Sequence, residues 1–115
     1  MRLGFHVSIA GGWEKALQRA VQRRCTTLQV FSSSPVQWAR SPLDREAAAW
    51  FRHALIELDI QPLFVHGIYL LNLASDDRSL RRRSWQHLAT ELDRAHTLGA
   101  VGVVVHLGST TAPQA

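Results

Sequence analysis

Four short apolar runs divide the chain, and between them the apolar positions fall into helical spacing. Arg2 to Val7 is mostly apolar and is followed by Gly11 and Gly12, which predicts a first strand and its loop. Trp13, Ala16, Leu17, Ala20 and Val21 recur at i, i+3, i+4, i+7 and i+8, one face of an amphipathic helix. TTLQVF, Thr26 to Phe31, is β-branched and apolar and predicts a second strand, with SSSPVQWARS as the loop after it. Ser41 opens the next helix: its hydroxyl can cap, Pro42 suits the first helical position, and Asp44 lies three residues after the cap. Ala47, Trp50, Phe51, Ala54, Leu55 and Leu58 are its expected buried stripe. Leu63 to His66 is the third strand. Asp76 and Asp77 favour the start of a third helix, which runs to about Leu98 with Trp85, Leu88, Leu92 and Ala95 inward. Gly99 can end it in a left-handed cap, and Val101 to His106 is the fourth strand.

The order β-α-β-α-β-α-β implies parallel strands joined by right-handed crossovers. A doubly wound sheet and a (β/α)8 barrel both begin this way. No GxGxxG follows the first strand, which argues against a dinucleotide site. The 115 residues make at most one domain, and 46% hydrophobic content makes it globular. Twelve arginines and one lysine against nine acidic residues give a net charge of +4, a balance that suits a polyanionic partner. The single cysteine, Cys25, excludes an internal disulfide and fits a reducing compartment. The start MRLGFHVSIAGG is no secretory signal, and no apolar run reaches the roughly 20 residues that span a bilayer. The expectation is a soluble, cytoplasmic protein without a membrane partner.

Sites in parallel α/β folds form at the carboxyl ends of the strands. His6, His66 and His106 stand at or near three such ends. If the third and fourth strands are neighbours, they lie about 4.8 Å apart, and His66 and His106 can point at one metal ion. Neutral imidazole is a good zinc ligand, and Gly67 and Gly108 give the backbone room. A hydrogen-bonded imidazole filling a strand end is the competing reading, and spacing alone does not separate the two. His53, His87 and His96 fall within helices and are expected to be surface or half-buried residues. Arg78, Arg81, Arg82 and Arg83 read as the solvated face of an outer helix, away from the strand ends. Trp13, Trp50 and Trp85 follow the helical stripes and are expected in the core. Trp38 is different: it sits beside Gln37 in a strand-end loop, where a substrate could meet it. Tyr69 and Leu70 share such a loop and could either wedge into a base stack or close the mouth of a barrel.

GFHVSIAGG (4–12), QVFSSSPVQW (29–38), HGIYLLNLAS (66–75) and VVVHLGS (103–109) together resemble the endonuclease IV family, in the family's order and near its spacing. The resemblance covers Arg2 to Ser109. It implies a TIM barrel of the xylose-isomerase-like type and a DNA-repair enzyme. That enzyme cuts the phosphodiester bond 5′ to an abasic site in double-stranded DNA, leaves a 3′-hydroxyl, and acts as a monomer with a cluster of three zinc ions (Zn2+). By the same resemblance His66 and His106 are the first two histidine ligands, both on one zinc. Tyr69 and Leu70 match positions that the family pushes into DNA. Gln37 and Trp38 belong to a second DNA-facing loop, in which Val36 stands where the family often offers an arginine. Gly67 and Ile68 replace a more usual polar or proline pair, and HLGS often reads HPGS in relatives.

A full barrel needs eight βα units and about 250 residues. Four strands and three helices therefore read as the N-terminal half of a (β/α)8 barrel, residues 1–115 being an incomplete part of a single domain with no second domain. The family's remaining ligands, carboxylates and histidines on later strands, have no counterpart here, so the 115 residues alone are expected to be inactive. Two alternatives stand beside this reading: a sugar isomerase or epimerase of the same superfamily, and a non-catalytic half barrel that binds DNA or a partner chain.

Overall fold

The structure, a computed structural model, describes residues 1–110. Its elements run β1 (Gly4–His6), α1 (Trp13–Gln22), β2 (Thr27–Phe31), α2 (Arg45–Glu57), β3 (Leu63–His66), α3 (Arg78–Leu98) and β4 (Gly102–Val104). The strands form one parallel sheet in the order β1-β2-β3-β4. Sequential order decides between the two topologies that the alternation allowed. Right-handed crossovers that always step the same way put every helix on the same face. A doubly wound sheet reverses direction and covers both faces. The fold is therefore an arc of a barrel.

The alternation of burial along the strands follows from that arrangement. Leu28, Val30, Leu63 and Val65 face the helices and are buried with Ala16, Ala20, Phe51, Leu55, Ala95 and Leu98. Gln29, Phe31, Phe64 and His66 occupy the intervening positions and are half-buried on the other, inner face. The edges of β1 and β4 pair with no strand among the described residues, and Phe5 and Val104 at those edges are exposed. No described helix is long and apolar enough to cross a membrane.

Several local expectations need correction. The α2 cap is Asp44 rather than Ser41: its carboxylate accepts from the Glu46 and Ala47 amides at 3.0 and 3.1 Å, so the helix begins at Arg45. A carboxylate at the cap also meets the positive end of the helix dipole, which a hydroxyl does not exploit. Asp77 caps α3 in the same way, and Gly99 ends it with the expected left-handed φ of 76°. β1 and β4 are shorter than their apolar runs, because Leu3, Val101 and Val105 extend past the residues that pair. Val21, Trp50 and Leu58 are exposed, and Trp13 is packed only in part against the core.

The largest correction concerns α3. Its buried line is Ser84, His87, Glu91, Ala95 and Leu98, while Trp85 and Leu92 are exposed. The inward face is rotated by about one residue, 100°, from the apolar phase. His87 is thus buried, where a surface or half-buried place was expected. Burial first, then the Arg40, Arg94 and Arg83 guanidiniums, lower its pKa to about 4, against a smaller raising effect from a backbone hydrogen bond to Trp38.

A histidine that stays neutral when folded binds its proton less readily than the same residue in the unfolded chain. Between the unfolded value near 6.5 and the folded value near 4, the unfolded state holds more protons, so stability falls as pH falls through that window. Thermal unfolding from pH 7 to pH 4.5 should show a falling midpoint, and His87→Leu should make the decline visibly shallower. An equal slope in both proteins would contradict the assignment.

Candidate metal and nucleic-acid site

The carboxyl ends of β1 to β4 carry a cluster of rings. Register places His66 opposite Val104, and His106 lies two residues further on, on the same side of the chain by strand alternation. The His66 and His106 rings are 5.1 Å apart, centroid to centroid, and nearly perpendicular at 85°. Tyr69 lies 5.8 Å from His66 and 6.0 Å from His106. Phe31 lies 5.1 Å from His66, 5.3 Å from Tyr69 and 4.5 Å from His6. His6 completes the group at 6.2 Å from His66.

Hydrogen bonding separates histidines that the sequence leaves equivalent. The His66 Nδ1 is 2.6 Å from the Gly67 carbonyl oxygen. A carbonyl only accepts, so Nδ1 carries the proton and Nε2 keeps its lone pair. Donation from one ring nitrogen to a backbone carbonyl is how metal-binding imidazoles are commonly oriented. His6 has the opposite arrangement. The Gln29 amide Nε2 donates to its Nδ1 at 2.9 Å, which puts the ring proton on Nε2. That Nε2 is buried and has no hydrogen-bond partner among the described residues. Burial, and secondarily the neighbouring His66, hold the His6 pKa below its usual value. His66 therefore presents a lone pair, and His6 does not.

The two histidine-bearing segments are clamped to each other. Gly67 N–H donates to the Val104 carbonyl at 2.8 Å. The Asn72 amide nitrogen donates to the Ser109 carbonyl at 2.9 Å, and the Ser109 amide returns a bond to Asn72 Oδ1 at 3.1 Å. Gly108 has a left-handed φ of 84°, and a Cβ there would come within 2.3 Å of Asn72 Oδ1. The asparagine of NLAS and the glycine of HLGS are thus two parts of one joint. Gly67 serves close packing: a Cβ would meet Leu71 at 3.0 Å and Val105 at 3.1 Å.

Tyr69 is exposed and Leu70 is half-buried in the β3–α3 loop, with the Tyr69 amide donating to the Pro35 carbonyl at 2.8 Å. Val36 and Gln37 are exposed at the tip of the β2–α2 loop. Trp38 turns back instead. Its ring lies 5.8 Å from His87 and beneath the Arg83 guanidinium at 4.5 Å. The Arg78, Arg81, Arg82 and Arg83 group is exposed, as expected of a solvated face, but Arg83 also reaches a strand-end loop, because α3 begins at this end of the sheet. Sequence reasoning missed the polar set behind the loop. Arg40 pairs with Glu91 at 2.6 Å, the side chains only 12% and 1% exposed. Ser32 donates to the other Glu91 oxygen. Arg94 donates to Ser32 Oγ at 2.9 Å, the Ser32 carbonyl at 2.5 Å and the Ser41 carbonyl at 3.1 Å. The available signal was the run Ser84, His87, Glu91 at helical spacing, one position out of phase with the apolar residues.

Among the described residues, no three His, Cys, Asp or Glu side chains come together as a metal set. His66 and His106 supply two donors where zinc takes about four, so they fit a metal as part of a larger ligand set.

The sequence model of the xylose isomerase-like TIM barrel family matches residues 13–115. A relative from Methanosphaerula palustris named probable endonuclease 4 is 43% identical over 108 residues, which cover 94% of this chain and 38% of the relative. A probable endonuclease 4 of Cenarchaeum symbiosum is 39% identical, covering 95% of this chain and 40% of that protein. The crystal structure of endonuclease IV from Thermus thermophilus superposes with a TM-score of 0.81 at 37% identity, over 96% of this chain and 41% of that one. The chain thus spans about two-fifths of the length of the relatives it matches. The resemblance read from its four motifs is borne out: the chain belongs to the xylose isomerase-like TIM barrel family, alongside relatives named endonuclease 4.

Proposed function

We propose that this chain is the metal-holding, DNA-facing N-terminal half of a zinc-dependent endonuclease that repairs DNA at abasic sites. The observation that carries the reading is the His66–His106 pair: two imidazoles 5.1 Å apart at adjacent strand ends, one with its Nε2 lone pair freed by the bond to Gly67. The names of the matched relatives support a nuclease. The net charge of +4 suits a polyanion, and the free, buried Cys25 suits a reducing cytoplasm.

In the reaction, water adds to the phosphorus on the 5′ side of an abasic nucleotide. The bond from phosphorus to the 3′ oxygen of the preceding nucleotide breaks, and that oxygen leaves with a proton as a 3′-hydroxyl. A bound zinc ion supplies an acidified water and neutralises phosphate charge. His66 and His106 would hold one such ion of the three expected in a complete enzyme. The Asn72–Ser109 joint fixes their separation. Tyr69, exposed beside the pair, and Leu70 behind it enter the base stack at the lesion. Val36 and Gln37 meet the DNA from the next loop, with Trp38 supporting them from behind.

Two measurements test this. In a protein of the relatives' full length that carries this chain, His66→Ala or His106→Ala should each weaken zinc binding about a hundredfold or more, since even outer-sphere partners contribute 10–100-fold. Incision of abasic duplex should fall in parallel. Normal zinc content and incision in the double variant would overturn the reading. Affinity for abasic duplex should drop about a thousandfold between about 50 and 200 mM salt if some six phosphates are contacted. Weak, salt-insensitive binding would favour a sugar enzyme of the same superfamily.

A further inference from the structure

We propose that the buried polar line of α3 is a positioning device that couples the two strand-end loops, and that Arg40 and Glu91 are its central positioning residues. The inference rests on the DNA-binding reading for its consequence, but its geometry is independent of it. Helix interiors facing a sheet are ordinarily apolar, and α3 has Ala95 and Leu98 there in its last turns. Its first four turns instead bury Ser84, His87 and Glu91. Each of these meets a loop. Ser84 Oγ accepts from the Asn72 amide of the β3–α3 loop at 2.9 Å. The His87 ring packs against Trp38 of the β2–α2 loop, and its carbonyl is 3.5 Å from an Arg40 guanidinium nitrogen. Glu91 takes Ser32 at one oxygen and Arg40 at the other, so it binds the β2–α2 loop near both of its ends.

The loops are also tied to each other. The Tyr69 amide donates to the Pro35 carbonyl at 2.8 Å, and the Phe31 and Tyr69 rings meet at 5.3 Å. One rigid helix therefore grips both loops from below, and a backbone bond joins them above. Val36 and Gln37 thus lie between Pro35, bonded to the Tyr69 amide, and Arg40, held by the buried Glu91. Apolar packing would hold the helix to the sheet as well, since buried ion pairs are often replaceable by apolar residues. It would not fix the loops' orientation, because apolar contact is non-directional. Coupling of this kind differs from mere stability, and the two can be told apart.

Arg40→Met alone leaves the buried Glu91 without its ion-pair partner, held only by Ser32, and is expected to unfold much of the protein. The informative protein is therefore the double variant R40M/E91M. In amide hydrogen exchange, residues 33–44 should exchange at least tenfold faster than in the parent, while β1–β4 amides keep their rates. Ser84→Ala removes only the grip on Asn72, yet it should also speed exchange in 33–44, which it does not touch. Unchanged loop rates in the double variant would overturn the proposal. So would acceleration of loops and strands together, which marks general packing, or an effect of Ser84→Ala confined to 67–76. A DNA arm keeps the two readings apart. In the protein of full relatives' length, the double variant should bind abasic duplex at least tenfold more weakly with unchanged zinc content. Parent protein that binds no abasic duplex defeats the DNA reading while leaving the exchange result standing; unchanged affinity with loosened loops defeats the positioning role.

Discussion

The register of β3 against β4 is the constraint on which the strand-end chemistry depends. Phe64 lies opposite Gly102, Val65 opposite Val103 and His66 opposite Val104. A slip of one residue would send His106 to the helix side of the sheet and leave His66 alone on the inner face. Apolar alternation specifies that register, since Leu63 and Val65 are buried against the helices and leave His66 no other direction. The Gly67–Val104 bond and the Asn72–Ser109 joint then continue the pairing past the last ladder residue. Sheet pairing, a glycine without a side chain and one amide side chain together place two imidazoles side by side.

The same sheet explains why the helix layer carries charge. Its helices lie on one face, so the strand-end loops must pass over the top of the helix layer before re-entering it. Loops in that position have backbone groups to satisfy and few apolar residues to bury. α3 answers with Ser84, His87 and Glu91, while Arg40 and Arg94 return the charge. Burial lowers the pKa of Arg94 as well, partly offset by Glu91 and reinforced by Arg40. The cluster remains ionic because each guanidinium has oxygen partners.

Much of this was legible in the residues. Element order, the carboxyl ends of β2 and β3, the Gly99 cap and the convergence of His66 with His106 follow from apolar runs and their punctuation. The phase of α3 was not legible, because Trp85, Leu88 and Leu92 make a better apolar stripe than the polar line that the loops require. The α2 start was misplaced because Ser41 and Pro42 imitate a cap, and the competition with Asp44 is settled only by where the loop delivers the chain. The difference between His6 and His66 lay in their partners, a glutamine side chain from β2 and a backbone carbonyl. The glutamine lies 23 residues from His6, and the carbonyl, although it belongs to the next residue after His66, is brought to the ring only by the local backbone fold. Trp38 looked like a surface aromatic until α3 supplied His87 and Arg83 around it.

The central claim is that His66 and His106 bind one ion through nitrogen. X-ray absorption at the zinc edge of a zinc-loaded protein of the relatives' full length that carries this chain, compared with its H66A/H106A variant, tests it most directly. The account predicts imidazole scattering from nitrogens at about 2.0–2.1 Å, reduced by two ligands on the ion that the variant disturbs. A spectrum identical in both proteins, or one dominated by sulfur from Cys25, would contradict it.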